Sequence, residues 1–162
     1  TGAILGRMTT PIDPMDSAQS VHDRLANMGW PLLEKHWEAL ANHEPGTAQP
    51  DQGVLYAKKL SKAEAQLNFE RPAMELQRQI HAFDPAPGAW VEGEFGRIKL
   101  FKAEAVENPG LEPGEIGPAP DLLLGCGEGA LRILEWQFAG AKRQPLPRIV
   151  QTGRLVPGRR IQ

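Results

Sequence analysis

The sequence predicts an α+β protein whose C-terminal part folds as a small, open β-barrel of the Greek-key kind. Three observations lead to this fold class. Apolar residues recur at helical spacing in the first 43 residues, and from Ala89 the pattern changes to five or six short extended runs. The 162-residue chain also contains 17 glycines and 15 prolines, which is high for a helical bundle and typical of a turn-rich protein.

The first 43 residues predict one strand followed by two helices. Residues 1–12 have the composition of a strand, and the turn at Asp13-Pro14 ends it. Gly29 and Pro31 interrupt the helical spacing, so we expect a second helix from Pro31 to about Asn42. The residues expected on its buried face are Leu33, Trp37 and Leu40. This part is too small to bury a core alone, and because the chain opens at Thr1 inside a strand, we expect a fragment whose upstream part is absent.

The middle of the chain combines a linker with two helix-start signals. Residues 44–53 are a linker by composition, and residues 54–60 are expected to be extended. Ser61 and Glu64 have the spacing of a capping box, which predicts a short helix or turn at 62–67. Pro72 suits the first turn of a further helix that runs to about Ala82.

The remaining segments predict the barrel strands. Residues 90–103 form a hairpin pattern in which one set of side chains alternates with another. The two sets are Ile98, Leu100 and Lys102 on one face and Arg97, Lys99 and Phe101 on the other. Further strands are expected at 122–126 and 130–137, separated by glycine turns.

Charge and composition exclude several classes of protein. The net charge of −2 excludes a uniformly basic nucleic-acid coat. No apolar run approaches the roughly 20 residues of a membrane span, and we expect a cytoplasmic protein without membrane contact. Between Arg132 and Gln162 there are seven basic residues against one acid, Glu135. That segment is a possible phosphate-contacting surface, and an equally good interpretation is a solvated face balanced by acids elsewhere.

The residues themselves predict no catalytic constellation and no metal site. The four histidines, expected at the surface or at helix ends, have no acid or cysteine pattern that completes a metal set; they are His22, His36, His43 and His81. Cys126, the single cysteine, has the context of a small buried thiol. Lys58, Lys59 and Lys62 flank a linker and a helix start, where they could reach a phosphate or simply confer solubility.

Several runs resemble methionyl-tRNA formyltransferases in order and spacing. The most specific is YAKKLSKAEA at Tyr56–Ala65, which is similar to the linker motif of that family. IHAFDPAPGAW at Ile80–Trp90 and GEGALRILEWQ at Gly127–Gln137 resemble the segments that follow it. The opening TGAIL is similar to the end of the formyl-transfer domain, which other folate-dependent formyltransferases share. The family often has an arginine at His81 and an aromatic residue at Ala86, and this chain departs from both.

The resemblance implies a two-domain enzyme that formylates the amino group of initiator methionyl-tRNA with 10-formyltetrahydrofolate as co-substrate. In this chain, residues 1–43 would be the remnant of a Rossmann-like formyltransferase domain, 44–53 a linker, and 54–162 an OB-like tRNA-binding domain. The family's catalytic Asn, His and Asp would lie upstream, so no catalytic residue is assigned here, and Thr1 and Gly2 would only flank the active site.

The resemblance also implies which residues contact the tRNA. Lys59 and Lys62 match the family's linker lysines, with Lys58 beside them. Weaker candidates on the barrel are Arg132, Lys142 and Arg143. We expect a monomer that is inactive in formyl transfer by itself. Two alternatives stay open: the C-terminal part of a sugar-nucleotide formyltransferase, and a stand-alone, non-catalytic RNA-binding module.

Overall fold

The structure is a computed structural model that describes residues 2–94 and 96–162. It divides into two units, and each is described by itself. The first contains the residues up to Asp13 together with Gln19–Leu60, and the second contains Pro14–Ala18 and Ser61–Gln162. Residues 54–60, which the sequence analysis assigns to the C-terminal domain, therefore lie in the first unit.

The opening strand of the first unit is shorter than predicted. Within residues 2–12 it is reduced to one antiparallel bridge between Ile4 and Thr47. The Ile4 N–H donates to the Thr47 carbonyl at 2.8 Å, and the reciprocal bond is 2.9 Å. Thr47 lies in the proline- and glycine-containing segment 44–53, which supplies no extended partner for a longer ladder.

The helices of the first unit break at a different residue than predicted. Helix α1 (Ala18–Lys35) runs through Pro31 without interruption, and α2 (Trp37–Ala41) follows after His36. A proline inside a helix removes one hydrogen bond and crowds the preceding turn. A long helix can absorb that cost by bending rather than ending, so the predicted break at Gly29–Pro31 is wrong.

The first unit has no hydrophobic core among its described residues. Leu33, Trp37 and Leu40, predicted to be buried, are 39%, 59% and 45% exposed. Every described residue of this unit is exposed or half-buried, because the helices have no second layer to pack against within it. The prediction of a buried face is therefore wrong, whereas the expectation that this part cannot bury a core alone agrees with the burial pattern.

The second unit begins with the predicted capping box. The Ser61 N–H donates to Glu64 Oε2 at 2.6 Å, and the Glu64 N–H donates to Ser61 Oγ at 3.3 Å. A turn follows, and helix α3 (Ala73–Ala82) begins directly after Pro72, as the sequence predicts. Leu76 and Ile80 of α3 are fully buried against the sheet.

The sheet has five antiparallel strands in the order β1-β2-β4-β3, with β5 also paired to β4. The strands are β1 (Ala89–Gly93), β2 (Gly96–Val106), β3 (Leu124–Gly125), β4 (Ala130–Phe138) and β5 (Gln144–Pro145). Helix α4 (Leu146–Thr152) follows β5. The sheet is curled into a half-barrel, so the α+β class and the hairpin at 90–103 are confirmed.

One buried layer joins α3 to the inner face of this sheet. Trp136 lies at its centre, fully buried, with its indole N–H donating to the Ile133 carbonyl at 3.1 Å. Leu100, Leu131 and Ile133 are likewise fully buried. Lys102 departs from the predicted alternation: its φ of 48° leaves it exposed beside buried Phe101, where its ammonium pairs with Glu135.

Two polar residues of α3 are also buried, and both bond to backbone groups. His81 Nε2 accepts from the Ala103 N–H at 3.1 Å, so the Nδ1–H is the donor to the Pro14 carbonyl, 3.2 Å away. Gln77 accepts from the Ala105 N–H at 2.7 Å and donates to the same Pro14 carbonyl at 3.2 Å. The prediction of a surface or capping position is therefore wrong for His81. Among the described helices, none is long and apolar enough to cross a bilayer.

Candidate nucleic-acid interface

Two of the candidate lysines end the first unit in an exposed segment. Residues 54–60 form no regular helix or strand, and Lys58 and Lys59 are both exposed. Tyr56 beside them is 88% exposed. Across residues 2–94 and 96–162, neither lysine has an ion pair or a side-chain hydrogen bond. Both ammonium groups are therefore available to an anion without first leaving a protein partner.

Lys62 belongs to the second unit, where the local fold fixes its backbone. The Ser61–Glu64 capping box holds one side of it, and the Trp90 indole N–H donates to the Lys62 carbonyl at 2.8 Å on the other. Hydrogen bonds to the backbone and hydroxyl of Ser61 lower the pKa of the Glu64 carboxyl, so Glu64 is committed to the turn. The Lys62 ammonium is exposed and forms no ion pair with any residue that the structure describes.

Two further cations of the β1–β2 hairpin lie around Trp90. The Arg97 guanidinium stacks over the Trp90 ring at 3.8 Å from its centroid. Its Nε and Nη2 each lie 3.3 Å from one oxygen of Glu92. Lys99 Nζ donates to the Pro87 carbonyl at 2.6 Å. The lining of one small pocket consists of Lys62, Pro87, Trp90, Arg97 and Lys99.

Arg132 and Arg143 lie in a different electrostatic environment. Arg132 pairs with both Glu104 and Asp121 at 3.2 Å. Arg143 donates two hydrogen bonds to Asp84, at 2.8 and 3.0 Å, and a third to Glu135, while stacking on Phe101. Each guanidinium thus faces two carboxylates. Such an arginine is held in place by the protein and offers little net positive charge to a ligand.

The pKa shifts of Arg143 and Glu135 agree with a structural role for Arg143. Burial alone would lower the pKa of its guanidinium, but the hydrogen bonds and charges of Asp84 and Glu135 outweigh burial and raise it. Burial alone would raise the pKa of the Glu135 carboxyl, but the hydrogen bond from Lys102 and the charge of Arg143 outweigh burial and lower it. Lys142, next in sequence, is exposed and forms no ion pair within the described part of the chain.

The other singled-out residues do not add chemistry to the interface. Gly2 is exposed and its carbonyl accepts from Gln49 at 2.7 Å, while Thr1 lies outside the described residues. Cys126 is buried, and burial raises the pKa of its thiol to about 12, so the thiolate nucleophile is not populated near neutral pH. No group of three His, Cys, Asp or Glu residues that could hold a metal occurs in 2–94 or 96–162.

A family model described as "Formyl transferase, C-terminal domain" matches residues 59–153. The chain belongs to this family. The methionyl-tRNA formyltransferase of Ralstonia nicotianae is 37% identical over 167 residues, covering 99% of this chain and 51% of that protein. The protein of the same name from Chromohalobacter salexigens is 44% identical over 151 residues, covering 88% and 46%. The chain spans about half the length of the curated relatives it matches. The resemblance drawn from the sequence is confirmed.

Solved structures agree with the fold of this formyl transferase C-terminal domain. A variant of HypX from Aquifex aeolicus aligns with a TM-score of 0.67 at 23% identity, covering 92% of this chain and 28% of that one. HypX in complex with tetrahydrofolic acid aligns with a TM-score of 0.56 at 25% identity, covering 70% and 22%.

Sequence reasoning missed Arg97 and Lys99 of this formyl transferase C-terminal domain. Their alternation with Ile98 and Leu100 already indicated that they share one face of the hairpin. Their position beside Lys62 depends on the hydrogen bond from Trp90 across 28 residues, which no local pattern reveals.

Proposed function

We propose that this chain acts as the C-terminal part of a methionyl-tRNA formyltransferase and supplies docking contacts for the initiator methionyl-tRNA. The observation that carries the proposal is identity of 37–44% to proteins of that name along 88–99% of the chain. The reaction would move the formyl group of 10-formyltetrahydrofolate to the methionyl amino group. Tetrahydrofolic acid bound to HypX, a structural neighbour at 25% identity, supports a folate-type donor.

The catalytic chemistry is assigned to none of the residues described here. We assign residues 1–43 to the end of the Rossmann-like formyltransferase domain, 44–53 to the linker, and 54–162 to the OB-like domain. The half-barrel sheet of the second unit supports the last assignment. The role of this chain is then to hold the tRNA, while formyl transfer takes place on residues of the other domain.

Docking would rely on lysines that are free to meet phosphates. Lys58, Lys59 and Lys62 are exposed and pair with no carboxylate among the residues that the structure describes, so phosphate binding displaces only water and counterions there. Lys142, between β4 and β5, is likewise exposed and forms no ion pair within the described part of the chain. Arg132 and Arg143 contribute less, because each already faces two carboxylates. Contacts of this kind orient an RNA and do not read its bases.

The test is a pair of assays on the purified 162-residue chain. Filter binding with labelled initiator methionyl-tRNA, at several KCl concentrations, should show salt-dependent binding. Incubation with 10-formyltetrahydrofolate and the same tRNA should give no formyl-methionyl-tRNA. Binding of a sugar nucleotide in preference to tRNA would contradict the proposal, and so would formyl transfer by this chain alone.

A further inference from the structure

The strongest unassigned feature of the molecule is the small pocket at the β1–β2 hairpin. Three cationic side chains, Lys62, Arg97 and Lys99, line it together with Trp90 and Pro87. The only carboxylate recorded on these cations within the described residues is Glu92, which bonds Arg97 through a single oxygen. Three positive charges against one negative charge leave the pocket with a net positive charge.

Arg97 and Lys99 are held through their side chains and keep donors free, whereas Lys62 is fixed only through its backbone carbonyl. Arg97 lies flat on Trp90, which restrains the guanidinium, and its Nη1 has no protein acceptor recorded within residues 2–94 and 96–162. Lys99 uses one of its three N–H donors on the Pro87 carbonyl. Trp90 also bonds to the Lys62 carbonyl, so one indole organises both the linker lysine and the arginine.

Such an arrangement suits a tetrahedral oxyanion. Convergent N–H donors on restrained cations bind phosphate more strongly than separate, mobile lysines, because less side-chain freedom is lost on binding. Glu92 is half-exposed and its distance to Arg97 is 3.3 Å, so water screens that pair and a phosphate can compete with it. The pocket therefore differs from the Arg143 site, where two carboxylates take three guanidinium nitrogens.

We infer that Lys62, Arg97 and Lys99 form one phosphate-binding subsite, which takes a backbone phosphate of the bound RNA. This inference rests on the proposed function for the identity of the ligand. Trp90 is a positioning residue in it, since its ring supports Arg97 and its N–H fixes the Lys62 backbone. The subsite places Lys62 and the β1–β2 hairpin on the same stretch of RNA backbone.

The experiment compares four single variants of the 162-residue chain in binding initiator methionyl-tRNA across a KCl series. Because the three cations share one phosphate, Arg97→Gln and Lys99→Gln should each lower the magnitude of the salt slope by at most roughly 0.7–0.9, the value for one phosphate contact. Arg148→Gln is the matched control, because Arg148 is an exposed arginine in a separate pocket with Gln144, Gln151 and Thr152. Lys99→Arg keeps the charge and should restore the slope, which a loss of folding would not do.

The outcomes separate this inference from the proposed function. If Lys59→Gln lowers the slope but Arg97→Gln and Lys99→Gln do not, the subsite is overturned and the tRNA proposal stands. If the wild-type chain does not bind the tRNA, the proposed function fails. An independent titration then decides whether the subsite binds phosphate. In that titration with inorganic phosphate, a saturable shift of the Trp90 indole N–H resonance, assigned by Trp90→Phe, supports the subsite. An unmoved resonance overturns it.

Discussion

The lysines at residues 58–62 and two arginines of the C-terminal segment, Arg132 and Arg143, carry the same charge in opposite surroundings. Lys58, Lys59 and Lys62 have no carboxylate partner within the described chain. Arg132 and Arg143 each face two carboxylates. The sequence alone makes the C-terminal segment look more basic, with seven basic residues against one acid. The positive charge that a side chain can offer to a ligand therefore depends on carboxylates from distant parts of the chain.

The two kinds of cation differ in what an incoming phosphate must displace. A free, exposed lysine gives up only its bound water when it meets a phosphate. The RNA at the same time releases condensed counterions, which favours binding at low salt. A guanidinium bonded to two carboxylates would have to leave them, and the carboxylates would then repel the phosphate. We therefore expect the first group to govern RNA affinity and the second to govern folding.

The largest expected effect is on stability. Arg143→Ala leaves Asp84 and Glu135, of which Asp84 is nearly fully buried, without their shared cation. Breaking such a pair from one side costs about 3 kcal/mol in the free energy of unfolding. Urea denaturation followed by far-UV circular dichroism measures it. A loss below about 0.5 kcal/mol, the usual range for surface changes, would mean that Arg143 is not a structural cation.

The next effect is on RNA binding. Changing Lys58, Lys59 and Lys62 together to glutamine should reduce the magnitude of the salt slope for initiator tRNA by up to about 2, for at most three contacts at roughly 0.7 each. Because these side chains are exposed, the urea midpoint should stay the same. Filter binding over a KCl series checks the slope. An unaltered slope with intact folding would remove the linker lysines from the interface.

The ion pairs around Arg143 should make the stability of the protein depend on pH. The pKa of Glu135 is lowered in the folded state, since Lys102 and Arg143 outweigh the effect of burial. The unfolded chain therefore binds more protons in the acidic range, and stability falls as the pH drops through the folded-state pKa below the ordinary value of 4.5.

The variant Glu135→Gln isolates the contribution that ionisation of Glu135 makes to stability. It should be less stable than the wild type near neutral pH and should lose less stability on acidification. Urea unfolding at a series of pH values gives both curves. Parallel curves for the two proteins would show that Glu135 is not the group whose protonation matters.

The smallest expected effect comes from releasing Arg132. The double variant Glu104→Gln/Asp121→Asn removes both of its carboxylates, which are partly exposed, so the cost in stability should stay within about 1 kcal/mol. If Arg132 is within reach of the RNA, the salt slope should increase by at most about 0.7–0.9. No increase would take Arg132 out of the set of candidate contacts.

The local sequence pattern was sufficient to predict those parts of the fold that depend on contacts between neighbours in sequence. Ser61 and Glu64 form the predicted capping box, α3 starts after Pro72, and the hairpin at 90–103 pairs as expected. The prediction of a break at Pro31 failed because proline only disfavours the interior of a helix. The long helix α1 continues through it. The prediction of a surface position for His81 failed because its hydrogen-bond partners, the Ala103 N–H of β2 and the Pro14 carbonyl, are distant in sequence.

The candidate interface was predictable only in part, for the same reason. The lysines could be named from their run at 58–62, since an exposed turn leaves them free. The neutralisation of Arg143 could not be foreseen, because its partner Asp84 lies 59 residues away. The pocket containing Arg97 and Lys99 likewise depends on a contact between Trp90 and Lys62 that spans 28 residues.

We expect the RNA to be held by cations that are not paired with two carboxylates, and not by the C-terminal basic segment as a whole. The most direct measurement is the salt slope of initiator methionyl-tRNA binding for Lys59→Gln and Arg132→Gln, which remove the same charge. We expect the first variant to lower the magnitude of the slope by roughly 0.7–0.9 and the second to leave it at the wild-type value. An equal fall in both variants would contradict the claim, because net charge alone would then determine the affinity.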